Sequence, residues 1–366
     1  MATSRRDFLK NTAIAGSALG IVGAPYPDSA LGAQAGVIPT PKSMELMERF
    51  GLRYPIFQAP HFGAGPELVA AVSNAGALGI LGGLNRLTSE SAHEYVKATR
   101  KLTKRLFAVN YILAFDPRSL PGALEAGAPV LHFSWGLPTK KMVSSVHNAG
   151  AKFGVQIGNA IGARAALDLG ADYLVCQGVE AGGHVQSSTA LYELLPRILD
   201  EARKMPVLAA GAISHGRKIR RALLAGASGA MLGTRFVATQ ESLQHPDHKK
   251  ALIKARAGET ALSVCFQDGW PGATHRALRN RTFEQWEAAG CAPVGSRPGE
   301  GDVLATRADG TTVLRYSAFS PMRDLEGAIT DMAMYAGQGV DDVKDIPAAA
   351  DLVRRLWAEC IDTSQS

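Results

Sequence analysis

Cysteine is scarce: four in 366 residues, at 176, 265, 291 and 360. That excludes a disulfide-stapled scaffold, and the spacings match no metal-binding pattern, so no metal site is expected. Long apolar runs are also missing beyond the N-terminus, so no stable membrane span is expected. Glycine (39) and proline (19) are too few for a collagenous or low-complexity chain. No charge sign dominates: 39 basic against 33 acidic residues leave +6, scattered along the chain. That excludes the clustered basic footprint of a nucleic-acid binder. What remains is ordinary globular composition, 46% hydrophobic and 20% charged, enough for one large domain or two small ones.

The first 35 residues read as an address. Ser4-Arg5-Arg6-Asp7-Phe8-Leu9-Lys10 precedes a weakly apolar, Gly/Ala-rich stretch from Thr12 to Ala24, and Ala33-Gln34-Ala35 forms an A-x-A cleavage pattern. The paired arginines followed by Phe-Leu-Lys look like a twin-arginine signal, which predicts export by that machinery to the periplasm. Such export carries folded passengers, many of them holding a cofactor.

One local pattern recurs through the body. Gly76, Gly127, Gly150, Gly170 and Gly226 each end an amphipathic stretch and precede a short apolar run. Glycine there suits the left-handed residue past a helix end, and the apolar run reads as a buried strand. With PIFQAP at 55–60, LFAVNYI at 106–112 and VLAAG at 207–211, this predicts eight strands: 55–59, 78–82, 106–111, 129–134, 153–158, 172–177, 206–210 and 229–233. Eight β-α units predict an α/β fold of the (β/α)8 (TIM) barrel type. A doubly wound open sheet is the rival, weakened because no G-x-G-x-x-G opens a helix after the first strand. The barrel is expected over 41–244, completed by 319–366. Residues 245–318, polar and rich in Gly, Pro and Arg, read as a lid-like insertion after strand eight, with a hairpin at Asp309-Gly310. LEGAITDMAMYAGQGV and AADLVRRLW read as two C-terminal closing helices.

Active sites of such barrels lie at the strand C-termini. The first strand leads into Ala59-Pro60-His61, the seventh into Gly211-Ala212, the eighth into Gly233-Thr234. Glycines past strands seven and eight expose N–H groups that cradle a phosphate, although glycine also simply fits tight turns there. Gly182-Gly183 would let the backbone approach a planar ligand, and the adjacent His184 is a candidate base near neutral pH, against the commoner structural role of a lone histidine. Glu180 is a weaker candidate, better suited to pairing with an arginine or capping its loop. Asn110, Gln156 and Gln177 end their strands with uncharged amides suited to the carbonyls and ring nitrogens of a flavin. Cys176, inside a strand, reads as buried and inert. His245 and His248 flank Pro246, which interrupts a helical metal face.

These strings resemble the nitronate monooxygenase family, formerly 2-nitropropane dioxygenases, which are FMN-dependent barrels. The resemblance runs from about Tyr54 to the C-terminus. It is carried by PIFQAP (55–60), QGVEAGGH (177–184), PVLAAGAISHGRKI (206–219), MLGTRF (231–236) and AGQGV (336–340), the second being the most specific. GWPGATHRALRN (269–280) and RPGEGDV (297–303) resemble a subgroup with an elaborated lid. The resemblance implies a non-covalent FMN with its phosphate at Gly211, Ala212, Gly233 and Thr234. Asn110, Gln156 and Gln177 would touch its ring or ribityl chain, and Ala59, Pro60, His61, Gly182 and Gly183 would lie beside it. It implies His184 as the base on a nitroalkane or the binder of a nitronate, with O2 as co-substrate and a carbonyl compound and nitrite as products. Two departures stand out. His61 replaces the family's usual methionine, as a group able to shift the redox potential or act as a second base. Val185-Gln186 follows His184 where the family often has x-Gly. The competing functions are an NAD(P)H-dependent flavin reductase acting on quinones or enoyl thioesters, and an exported flavin-binding protein without turnover.

Overall fold

The structure, a computed structural model, describes residues 38–363. The signal expected over 1–35 lies outside the described residues. Eight parallel strands form one sheet: β1 (Ile56–Gln58), β2 (Ile80–Leu81), β3 (Ala108–Ile112), β4 (Val130–Ser134), β5 (Lys152–Ile157), β6 (Tyr173–Gln177), β8 (Val207–Ala210) and β9 (Gly229–Leu232). A two-residue strand outside the barrel, β7 (Gly183–His184), intervenes. β1 pairs with β9 at one edge, and a parallel bridge from Phe57 to Leu78, just ahead of β2, joins the other. The open-sheet rival is thereby excluded. Every barrel strand lies within two residues of its expected span, and all five junction glycines have positive φ.

Two apolar layers follow from the alternation of strand side chains. Phe57, Ile80, Ala108, Val130, Tyr173, Val175, Leu208 and Met231 fill the barrel interior. Helix Pro41–Phe50 plugs one end with Leu46 and Phe50, the Phe50 ring meeting Tyr173 edge-on at 5.5 Å. Its start is set by Thr40, whose hydroxyl accepts from Ser43 N–H at 3.2 Å. The outer strand faces pack against the surrounding helices, including Leu191–Ala202 and Gly216–Leu224. With one end plugged, the ligand cavity opens at the strand C-termini.

The chain after β9 makes a helix (Pro246–Lys254), strands β10 (Thr260–Ser263) and β11 (His275–Leu278), a helix (Arg281–Ala288), and the expected hairpin, β12 (Val303–Arg307) with β13 (Thr312–Leu314). The tail differs from expectation. Residues 325–340 are not a helix but β14 (Leu325–Gly327), paired with β12, and two 3-10 turns; one closing helix, Ala349–Ile361, remains. Glycines at 327, 337 and 339 account for this: a Cβ on Gly327 would lie 2.3 Å from Leu304 O, and one on Gly339 2.6 Å from Ala212 O. Close backbone packing overrides the apolar periodicity of that stretch.

Candidate active site

β8 runs into Gly211 (φ 128°) and Ala212 (φ 52°), the latter in a left-handed conformation rare for a side-chain-bearing residue. Among the described residues, the N–H groups of Gly211, Ala212 and Gly233 donate to no protein acceptor. Thr234 Oγ1 accepts from Gly337 N–H at 3.0 Å, which leaves its own proton to donate. The AGQGV stretch is bound here as well, with Ser214 Oγ donating to Gly339 O at 2.5 Å. Unspent N–H groups on adjacent loops make an anion cradle.

His184 stands beside this cradle on β7. Gly182 permits that path, because a Cβ there would lie 2.3 Å from Gly337 N. β7 pairs antiparallel with β11, His184 opposite His275, so the segment after the barrel holds the loop directly. Gln177 braces it from below: Nε2 donates to His184 O (3.2 Å) and Oε1 accepts from Gln186 N–H (2.9 Å). Glu180 caps helix Leu191–Ala202, accepting from Leu191 N–H at 3.0 Å. Trp270 stacks on the His184 imidazole at 4.0 Å, with Trp135 edge-on at 6.2 Å and Tyr335 at 5.3 Å. Among the described residues His184 Nε2 is inaccessible and without a hydrogen-bond partner. Burial, then the neighbouring His275, holds its pKa well below the usual 6.5. The ring is therefore neutral at pH 7.

All thirteen candidate residues line one cavity: Ala59, Pro60, His61, Asn110, Gln156, Gln177, Gly182, Gly183, His184, Gly211, Ala212, Gly233 and Thr234. Its space for the centres of water-sized molecules is ≈ 190 Å³, against the roughly 10–15 Å³ that one water needs. The amides divide their work. Asn110 Nδ2 donates to His132 O (3.0 Å) and Gln156 Nε2 to Gln186 Oε1 (2.6 Å), and among the described residues no protein group donates to either carbonyl oxygen. Gln177 uses both its polar atoms on the His184 loop. Burial, with His248 and Lys249 nearby, lowers the pKa of His61 to about 3, so this ring too is neutral at pH 7.

Sequence reasoning missed part of the wall. Trp135 (φ 55°) follows β4, and Trp270 and Tyr335 come from the chain after β9, as do Gln244, His248 and Ser320. GWPGATH had been singled out as a lid string, but nothing in it shows that Trp270 lands on His184. Pro246 does not interrupt a helix; it starts one, with His245 as its N-cap and His248 buried inside. Cys176 is fully buried in β6, and burial pushes its thiol far up. Among the described residues no group of three or more His, Cys, Asp or Glu could hold a metal ion.

A closed parallel barrel with a cavity at its strand C-termini defines a (β/α)8 enzyme. The nitronate monooxygenase family model matches residues 43–123 and 118–359. A nitronate monooxygenase of Pseudomonas aeruginosa is 32% identical over 357 residues, 84% of this chain and 97% of that protein. A carboxyl-CoA dehydrogenase of Rhodococcus jostii is 35% identical over 248 residues, 67% and 68% of the two chains. Among solved structures, nitroalkane oxidase from Streptomyces ansochromogenes superposes with TM-score 0.70 at 30% identity, over 86% of this chain and 97% of that one. FabK from Thermotoga maritima gives TM-score 0.70 at 25% identity, over 88% and 97%. The chain belongs to the nitronate monooxygenase family and is an oxidoreductase.

Proposed function

We propose that the protein binds FMN and oxidises alkyl nitronates with O2 to a carbonyl compound and nitrite. The observation that carries this reading is one cavity lined both by Gly211, Ala212 and Gly233, with their unspent N–H groups, and by His184. The first set fits a phosphate monoester. The free carbonyl oxygens of Asn110 and Gln156 fit ring or ribityl donors. FMN, when bound, would supply the redox chemistry that carries electrons from the nitronate to O2.

The chain's own residues bind, orient and exclude water. Trp135, Trp270 and Tyr335 dry the His184 face, and the β7–β11 pairing fixes the ring. A neutral His184 accepts the α-proton of a nitroalkane on a ring nitrogen. A nitronate anion against the same atom offsets the burial penalty and favours the imidazolium that binds it. Export through Arg5 and Arg6, with periplasmic residence, is part of the same proposal and rests on the N-terminal sequence alone.

The test is the visible spectrum of purified holoenzyme before and after anaerobic addition of propyl nitronate. Bleaching of a flavin band supports the reading, and with un-ionised 1-nitropropane as the donor His184→Asn should slow bleaching by about 10²–10⁴-fold with the band intact. Bleaching by NADPH alone would instead favour reductase chemistry. For export, Arg5→Lys with Arg6→Lys should retain the protein in the cytoplasm; unchanged export refutes the signal.

A further inference from the structure

The cavity carries no formal charge of its own. Among the described residues that line it there is no Asp, Glu, Lys or Arg. Its three histidines are neutral at pH 7, because burial holds His61 at about 3, His248 at about 4 and His184 well below 6.5. A formal charge that attracts an anion therefore has to stand behind the lining. Lys249 Nζ gives its protons to the carbonyls of Thr239 (2.7 Å), Ser242 (2.6 Å) and Gln240 (3.4 Å). Arg307 pairs with Asp324 at 2.7 Å. Arg86 is placed differently. It ends the 3-10 turn Leu84–Arg86, which follows the lining residues Gly82 and Gly83 directly. Its guanidinium carbon stands 4.9 Å from the centre of the Phe62 ring, itself part of the cavity wall, and 5.0 Å from that of Phe319. Two aromatic rings hold a cation in place without neutralising it, as a carboxylate would. Among the described residues the guanidinium donates to no acceptor and meets no carboxylate at ion-pair distance. The residue is exposed, so an incoming molecule can approach it. Its charge is also felt across the wall. Burial raises the Tyr335 hydroxyl and Arg86 opposes that rise, and the Tyr335 ring lies 5.3 Å from His184.

We propose that Arg86 is a substrate-selecting residue: its guanidinium, held against the cavity wall by Phe62 and Phe319, attracts the nitronate anion and favours it over the neutral nitroalkane of the same carbon skeleton. A unit charge acts over a Debye length, about 10 Å at 0.1 M salt, so it needs no contact with the substrate. It acts on an anion and not on the neutral conjugate acid, and added salt weakens it. The selection is made by charge at the wall, while the lining itself stays uncharged. This inference rests on the nitronate reading of the same cavity.

The test measures kcat/KM of the holoenzyme for preformed propyl nitronate at about 0.01 M and about 0.5 M ionic strength, in wild type, Arg86→Met and Arg86→Lys. Salt should lower the wild-type value by about threefold or more, mainly through KM. Arg86→Met should lower the low-salt value by a similar factor and leave little salt dependence, whereas Arg86→Lys, which keeps the charge, should keep most of both. Damage to the Gly82–Gly83 wall would lower the value at both ionic strengths alike and leave the salt dependence standing. That result, or a wild-type value indifferent to salt, overturns the proposal. Flavin content is read on each variant, and Arg86→Gln takes the place of Arg86→Met if the latter holds no flavin. If propyl nitronate is not turned over, the functional reading fails instead. The inference is then judged by the dissociation constants of propyl nitronate and un-ionised 1-nitropropane, read by titration calorimetry. Tighter binding of the anion in wild type, lost in Arg86→Met, supports it; the same ratio in both proteins overturns it.

Discussion

Acid should unfold this protein through its histidines before its carboxylates are titrated. His132, His248 and His275 are fully buried, and the ring nitrogens of His61 are inaccessible. Burial lowers His61 and His132 to about 3 and His248 and His275 to about 4, against 6.5 for an unperturbed ring. Below pH 6.5 the unfolded chain therefore binds protons that the folded one refuses, so stability falls as pH falls, from about 6.5 down to these folded values. Between pH 7 and 5 each of the four loses about 2 kcal/mol, about 7–8 kcal/mol together. That is a large part of the roughly 5–15 kcal/mol typical of a folded domain. His184 acts in the same direction. The assay is urea unfolding of the holoprotein at both pH values, followed by tryptophan fluorescence. His132→Leu, which removes a ring whose Nε2 has no partner, should shrink the acid loss by about one quarter. A wild-type loss below about 2 kcal/mol between pH 7 and 5 would refute the reasoning.

Two further outcomes follow from the His184 loop. Gly182→Ala drives a Cβ to within 2.3 Å of Gly337 N and 2.6 Å of Ala336 C. Shifting that backbone should cost about 1–3 kcal/mol and lower flavin occupancy together with the thermal midpoint; an unchanged melt and full occupancy would contradict it. Trp270→Ala uncovers the stacked face of His184. Solvent then favours the charged ring, so the His184 pKa rises toward 6.5 and the acid limb of kcat/KM moves to higher pH. A pH profile that does not move would show that Trp270 is not what keeps the ring dry.

The barrel was legible because its signals are local. Each strand is a short apolar run, and each helix end carries a glycine at positive φ, as at Gly150 and Gly170. The placing of Gly211 and Gly233 at the cavity was legible for the same reason: both follow their strands directly. The tail was not. LEGAITDMAMYAGQGV has helical spacing, yet Gly327 and Gly339 sit where neighbouring backbone leaves no room for a Cβ. Periodicity cannot see that contact. The roles of the amides were equally hidden: Asn110, Gln156 and Gln177 look alike in sequence, and only the tertiary fold turns Gln177 into a brace for the His184 loop.

The sequence by itself determined the eight β-α units, the mouth where their C-termini meet, and the part of its lining that the barrel strands and their loops supply. Those follow from periods of two and 3.6 residues and from the backbone freedom of glycine, all within a few residues of chain. The chemical state of the site belongs to the tertiary structure alone. That His184 is neutral and roofed by Trp270, and that His61 is buried with both nitrogens unspent, depends on chain arriving from more than 80 residues away in the case of Trp270 and more than 180 in the case of Gln244 and His248. Desolvation is set by everything packed around a group, and no short stretch of sequence carries it.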